Sequence, residues 1–154
     1  MDELRLTAYH EAGHAIASRE MEIAIISITI VPDGAVAGSV HCNTACRCPF
    51  NTAVILSAGL AATNRLNGIT SDINGIIIDA IAAKSEIDLI EAYWAVSEYN
   101  LTEDETERAA WVAYKQATEL VKTHWQAVEA IAGALLRQGT LTGAEVAALL
   151  NEAE

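Results

Sequence analysis

His10-Glu11-Ala12-Gly13-His14 sets two imidazoles four residues apart, with a carboxylate directly after the first. On a helix this spacing is one turn, so both rings leave the same face and can bind one Zn²⁺, while Glu11 stands beside them as a base for water. The neighbourhood supplies the helix: Leu4, Ala8, Ala12, Ala15 and Ile16 recur at three- and four-residue intervals after an acidic start, which predicts a helix from Asp2 to about Met21. Gly13 within it costs about 1 kcal/mol relative to Ala, and such a glycine usually has a packing or functional reason. The bland alternative is a pair of surface histidines on an amphipathic helix.

A catalytic zinc needs a third protein ligand and an open position. No third His follows in register, since the chain next offers His41 and His124. A carboxylate is the expected ligand, and spacing leaves Asp72, Asp79, Glu86, Asp88 and Glu91 all open. His41, Cys42, Cys46 and Cys48 form a second group of soft donors within eight positions. Tetrahedral sites usually join two separated knuckles, so these cysteines read as reduced thiols in a loop, with a second metal as the alternative.

The elements that must position these residues follow from pattern and punctuation. Ile26, Ile28 and Ile30 alternate with polar residues, Pro32-Asp33-Gly34 supplies a turn, and Val36 to Cys42 completes a two-stranded ribbon. Asn51 is placed to cap a helix ending at Asn67, with Gly68 as its left-handed stop. A short helix spans Ile73 to Lys84, and Ser85 can cap the next one. Capping-box spacings at Thr102/Glu105, Thr123/Gln126 and Thr142/Glu145 predict three further starts, with residues 103–137 forming one long helix or two. Trp94, Trp111 and Trp125 read as core or interface packing. The expected fold is mainly α, about six helices with a two-stranded β-ribbon.

Composition bounds the function. The 154 residues, 52% hydrophobic and 19% charged, fit a single domain over 1–154 that buries a real core. A formal charge of -12 has the wrong sign for a phosphate backbone, so no nucleic-acid partner is expected. The longest strongly apolar run, Ile23 to Val31, is far short of the ~20 residues a membrane helix needs, and no export signal is visible. Three crowded cysteines suggest no disulfide framework and favour a reducing cytoplasm. Phosphate-loop and dinucleotide fingerprints are absent.

Ala8-Tyr9-His10-Glu11-Ala12-Gly13-His14-Ala15 resembles the A-x-H-E-A-G-H-A opening of the peptidase domain in FtsH-type ATP-dependent zinc metalloproteases. Val31-Pro32-Asp33-Gly34 with Gly38 is similar to that family's I-P-R-G-x-x-x-G ribbon. Ser57 to Ala62 followed by Leu66-Asn67-Gly68 is similar to its L-x-G-R-A-A-E-E-L-x-x-G helix, and Ala134 to Val146 to its A-x-x-L-L-x-x-E-T-L-D-G-x-E ending. The third ligand there is the Asp of G-A-x-N-D-[LI]-x-x-A-T, which the resemblance carries onto Asp88. This chain departs from the pattern at Ile87, Tyr93 and Asn64-Arg65. Outside the resemblance, Asp88 reads as a capping-box carboxylate three positions after Ser85.

The resemblance implies a zinc metalloendopeptidase of FtsH protease domain-like fold. His10, His14 and Asp88 would hold Zn²⁺, Glu11 would be the general base, and unfolded polypeptides would be the substrate. An extended peptide would pair with the ribbon along Gly38 to Val40. Such enzymes join this domain to membrane segments and an AAA+ ATPase, neither of which is present here, so the expectation is a stand-alone domain, served by a separate AAA+ unfoldase or self-associated as a homo-oligomer. The competing reading is a catalytically silent metal-binding interaction module, and the intact Glu11 favours the enzyme.

Overall fold

The computed structural model describes residues 2–44, 48–69 and 87–153, apart from the side chains of 87–90 and 93. Among them the element order is α1 (Glu3–Glu20), β1 (Ile25–Thr29), β2 (Ser39–Cys42), α2 (Pro49–Leu66), α3 (Ile87–Ser97), α4 (Glu103–Thr123), α5 (Trp125–Gln138), β3 (Thr140–Thr142) and α6 (Gly143–Glu152). The chain is mainly helical, with a small antiparallel sheet.

Helix α1 begins where Asp2 accepts a hydrogen bond from the Leu4 N–H, and it packs most extensively on α2. The approach is close because the facing side chains are small: Ala8, Ala12 and Ala15 from α1 and Ala58, Ala61 and Ala62 from α2 are all buried. Gly13 is the extreme case. A Cβ there would run into the Ala58 carbonyl and stand 2.9 Å from the Ala62 Cβ, so the two backbones touch at this level. Helix α2 also packs against α3 and α4, while α5 packs on α1.

Several expected boundaries shift. α2 starts at Pro49, with Cys48 rather than Asn51 in the cap position, because proline suits the first helical turn. It ends at Leu66 with Asn67 as its cap, and Gly68 does adopt φ +74°. The region 103–137 is two helices broken at His124, which takes the cap position without a side-chain cap bond; the Thr123/Gln126 box is not used. The boxes at Thr102/Glu105 and Thr142/Glu145 both form. The expected helix over 73–84 and the Ser85 cap lie outside the described residues.

The ribbon is wider than expected, since β3 joins it in the order β2-β1-β3, both pairings antiparallel. Ile28 sits between Val40 and Leu141 in register, and Ile28 and Leu141 are fully buried. The β1–β2 register shifts between Ile25 and Ser27, and this bulge turns Ile26 out to 58% exposure although it alternates with Ile28 and Ile30. Trp94 is likewise 55% exposed, so it is not a core residue, whereas Trp111 and Trp125 pack against the core.

Candidate metal centre and active site

α1 carries His10, Glu11 and His14 to the base of a cleft of about 840 Å³. The two imidazoles meet edge to face, with ring centroids 4.6 Å apart and planes at 85°. Their Nε2 atoms are 3.0 Å apart. His14 Nδ1 lies 2.7 Å from the Ile55 carbonyl oxygen, which can only accept. Nδ1 therefore carries the proton, and the neutral ring in this tautomer would present its Nε2 lone pair on the side facing His10.

Beneath this point runs the backbone of α2 at Gly59. A Cβ on Gly59 would stand 2.6 Å from His10 Cε1 and 2.7 Å from each Nε2. Glycine thus leaves open the space where the two nitrogens converge. Glu11 is 6% exposed, and the chain entering β2 crosses directly over it: a Cβ on Gly38 would be 2.8 Å from Glu11 Oε1 and 2.8 Å from Thr7 Cγ2. Main chain rather than a side chain therefore closes the cleft over the carboxylate.

The remaining walls come from three elements: Ala35 to Val40 with Cys42 on the ribbon side, Ile55, Leu56 and Thr63 from α2, and Glu91 from α3. Of the five carboxylates left open as third ligand, Glu91 reaches the cleft. Asp88 belongs to α3 one turn earlier, but its side chain is outside the described residues, as are Asp72, Asp79 and Glu86. Among the described residues, no group of three or more His, Cys, Asp or Glu side chains comes together as a metal site.

The donors that are described fit zinc. Nitrogens about 2.1 Å from a tetrahedral zinc stand about 3.4 Å from each other, close to the observed 3.0 Å, and a ligating imidazole typically donates its other N–H to a carbonyl, as His14 does.

The second group of soft donors is split. Cys42 ends β2 as a free thiol and Cys48 takes the N-cap position of α2, while Cys46 is outside the described residues. Cys48 Sγ is 3.7 Å from the Tyr99 hydroxyl, which also accepts from the Phe50 N–H. The Asn51 backbone N–H, and after it the Tyr99 hydroxyl, hold the Cys48 thiol below its ordinary pKa. His41 pairs instead with the Ser39 hydroxyl at 3.0 Å.

Two residues of the site carried no chemical signal of their own. Gly38 and Gly59 matter only for the atoms they omit, and what they omit is visible once other elements approach. For Gly59 the hints were a glycine in the interior of an otherwise Ala-rich helix and its place in the resemblance to L-x-G-R-A-A.

No family model matches the chain. It is 29% identical over 181 aligned positions to the ATP-dependent zinc metalloprotease FtsH of Neorickettsia risticii (strain Illinois), an alignment that takes in 97% of this chain and 28% of that protein. The chain therefore spans little more than a quarter of the length of the curated relative it matches. Close contact of two helix-borne imidazoles beside a buried glutamate is thus found in a chain that is similar to a region of an FtsH protein.

Proposed function

We propose that this chain is a zinc-dependent metallopeptidase that hydrolyses peptide bonds in unfolded polypeptides. The observation that carries the reading is the meeting of His10 and His14 Nε2 at 3.0 Å, at the base of a cleft and next to buried Glu11. His10 and His14 would hold the zinc, with Asp88 as third ligand. Support for Asp88 comes from its match to the ligand Asp of the resembled segment and from its position in α3, three residues before Glu91, which lines the cleft.

Bound there, zinc would supply a Lewis acid that polarises the scissile carbonyl and acidifies water. Glu11 accepts the proton of the attacking water on its carboxylate and returns it to the departing amine nitrogen. The Ile55 carbonyl keeps His14 in the tautomer with a lone pair at Nε2. Among the described residues β2 is an edge strand, since its one neighbour in the sheet is β1, and the cleft runs along it. An extended substrate pairs with the open main chain of Gly38 to Val40, which gives affinity with little sequence preference. ATP dependence belongs to the relative's name; here the substrate is polypeptide already unfolded, or delivered by a separate AAA+ unfoldase.

The test is zinc stoichiometry measured together with turnover of unfolded casein. The reading expects a single zinc equivalent per chain and cleavage that a chelator stops and zinc restores. Zinc binding without cleavage would assign the chain to silent metal-binding modules.

A further inference from the structure

From the charges around the cleft we infer that it selects peptides carrying a lysine or arginine side chain beside the scissile bond, with Glu91 as the residue that selects them. This inference rests on the peptidase reading above. Among the described residues lining the cleft, the charged side chains are Glu11 and Glu91, and no lysine or arginine is present. The rest of the lining is small or apolar, as with Val36, Val40, Ile55 and Leu56. The chain as a whole carries -12.

The two carboxylates have different work. Glu11 is buried under Gly38 and belongs to the reacting centre. Glu91 is exposed on α3 at the cleft wall, where a substrate side chain can reach it. In the zinc-loaded protein Glu11 would neighbour the ion, so among the described residues lining the cleft Glu91 is the carboxylate left facing substrate. A cationic side chain is attracted there, an acidic one is repelled, and both effects fade with salt.

Binding separates this claim from catalysis. Zinc-loaded Glu11→Gln is titrated into fluorescent octapeptides identical except for one central residue, Lys, Gln or Glu, and affinity is read by anisotropy at low and high salt. Lys should bind about two- to fivefold tighter than Glu, as expected for an exposed pair, with the ratio falling toward one at high salt. Adding Glu91→Gln should remove most of the ratio while zinc content stays unchanged, and because Glu91 is exposed the change does not threaten folding.

Equal affinities for the three peptides, or a ratio that survives Glu91→Gln, overturn the inference. So does loss of zinc from the Glu91→Gln chain, which would make Glu91 a ligand. Turnover of the Gln peptide by the unsubstituted zinc-loaded chain is the separate arm: a Lys preference in binding without cleavage of any peptide refutes the peptidase and leaves the cation-selecting, acidic cleft standing.

Discussion

Replacing Gly59 by Ala adds one methyl group at the point where the two histidines converge. Ordinary contacts between a carbon and a ring atom lie near 3.5–4.0 Å, and the new Cβ would stand 2.6 Å from His10 Cε1 and 2.7 Å from both Nε2 atoms. Each ring must retreat by about 0.8 Å or more, several times the ~0.2 Å tolerance of a metal–ligand distance. The fold should survive, because the gain in helix propensity, about 0.8–1 kcal/mol, offsets part of an overpacking cost of about 1–3 kcal/mol. Zinc affinity should fall by tenfold or more, on the scale of damage to groups that orient metal ligands. Competition against a zinc indicator reads the affinity and urea unfolding reads the stability. Gly133→Ala is the control, since its Cβ would meet only the Arg137 guanidinium at 3.4 Å; it should gain about 0.4–1 kcal/mol and bind zinc normally. Zinc affinity of Gly59→Ala within twofold of the parent would refute the placement of the metal between His10 and His14.

Three more expectations concern other parts of the chain. Asp88→Ala should cut zinc affinity and turnover severely, whereas Glu91→Ala should retain zinc; metal analysis that shows the reverse would move the third ligand to Glu91. Ser57 Oγ is buried without a hydrogen-bond partner among the described residues, so Ser57→Ala should raise stability by about 0.5–2 kcal/mol in urea unfolding, and a clear loss would mean that the hydroxyl has a partner. The Thr142 backbone N–H, and then its hydroxyl, hold Glu145 below the usual carboxylate range. That contribution is present above the unfolded pKa and lost as pH falls through the folded one, so acid should destabilise the parent more than Glu145→Gln between about pH 5 and 3.

What the sequence disclosed depended on how local each signal is. The i, i+4 pairing of His10 with His14 needs only a helix, and the acidic start with the apolar periodicity of Leu4, Ala8, Ala12, Ala15 and Ile16 announces that helix. Thr102/Glu105 and Thr142/Glu145 were legible for the same reason, each box closing within one turn. Thr123/Gln126 has the same spacing, yet the break falls at His124, so spacing alone does not decide a boundary between two helices. Thr140–Thr142 is too short for a strand period to show, and it becomes a strand through its partner β1. The bulge that exposes Ile26 likewise depends on pairing with β2. In the site, the open choice among five carboxylates and the roles of Gly38 and Gly59 all depend on which distant segments pack onto α1. Neither composition nor periodicity encodes that packing in a form that can be read directly.

The central claim is that two histidines hold a zinc ion and Glu11 moves the proton. Glu11→Gln keeps the size and burial of the side chain but cannot take a proton from water or return it. Zinc content and casein turnover measured on the same purified sample of this variant test the claim most directly. The account predicts zinc bound as in the parent, with hydrolysis abolished. Hydrolysis retained at the parent's rate would contradict it.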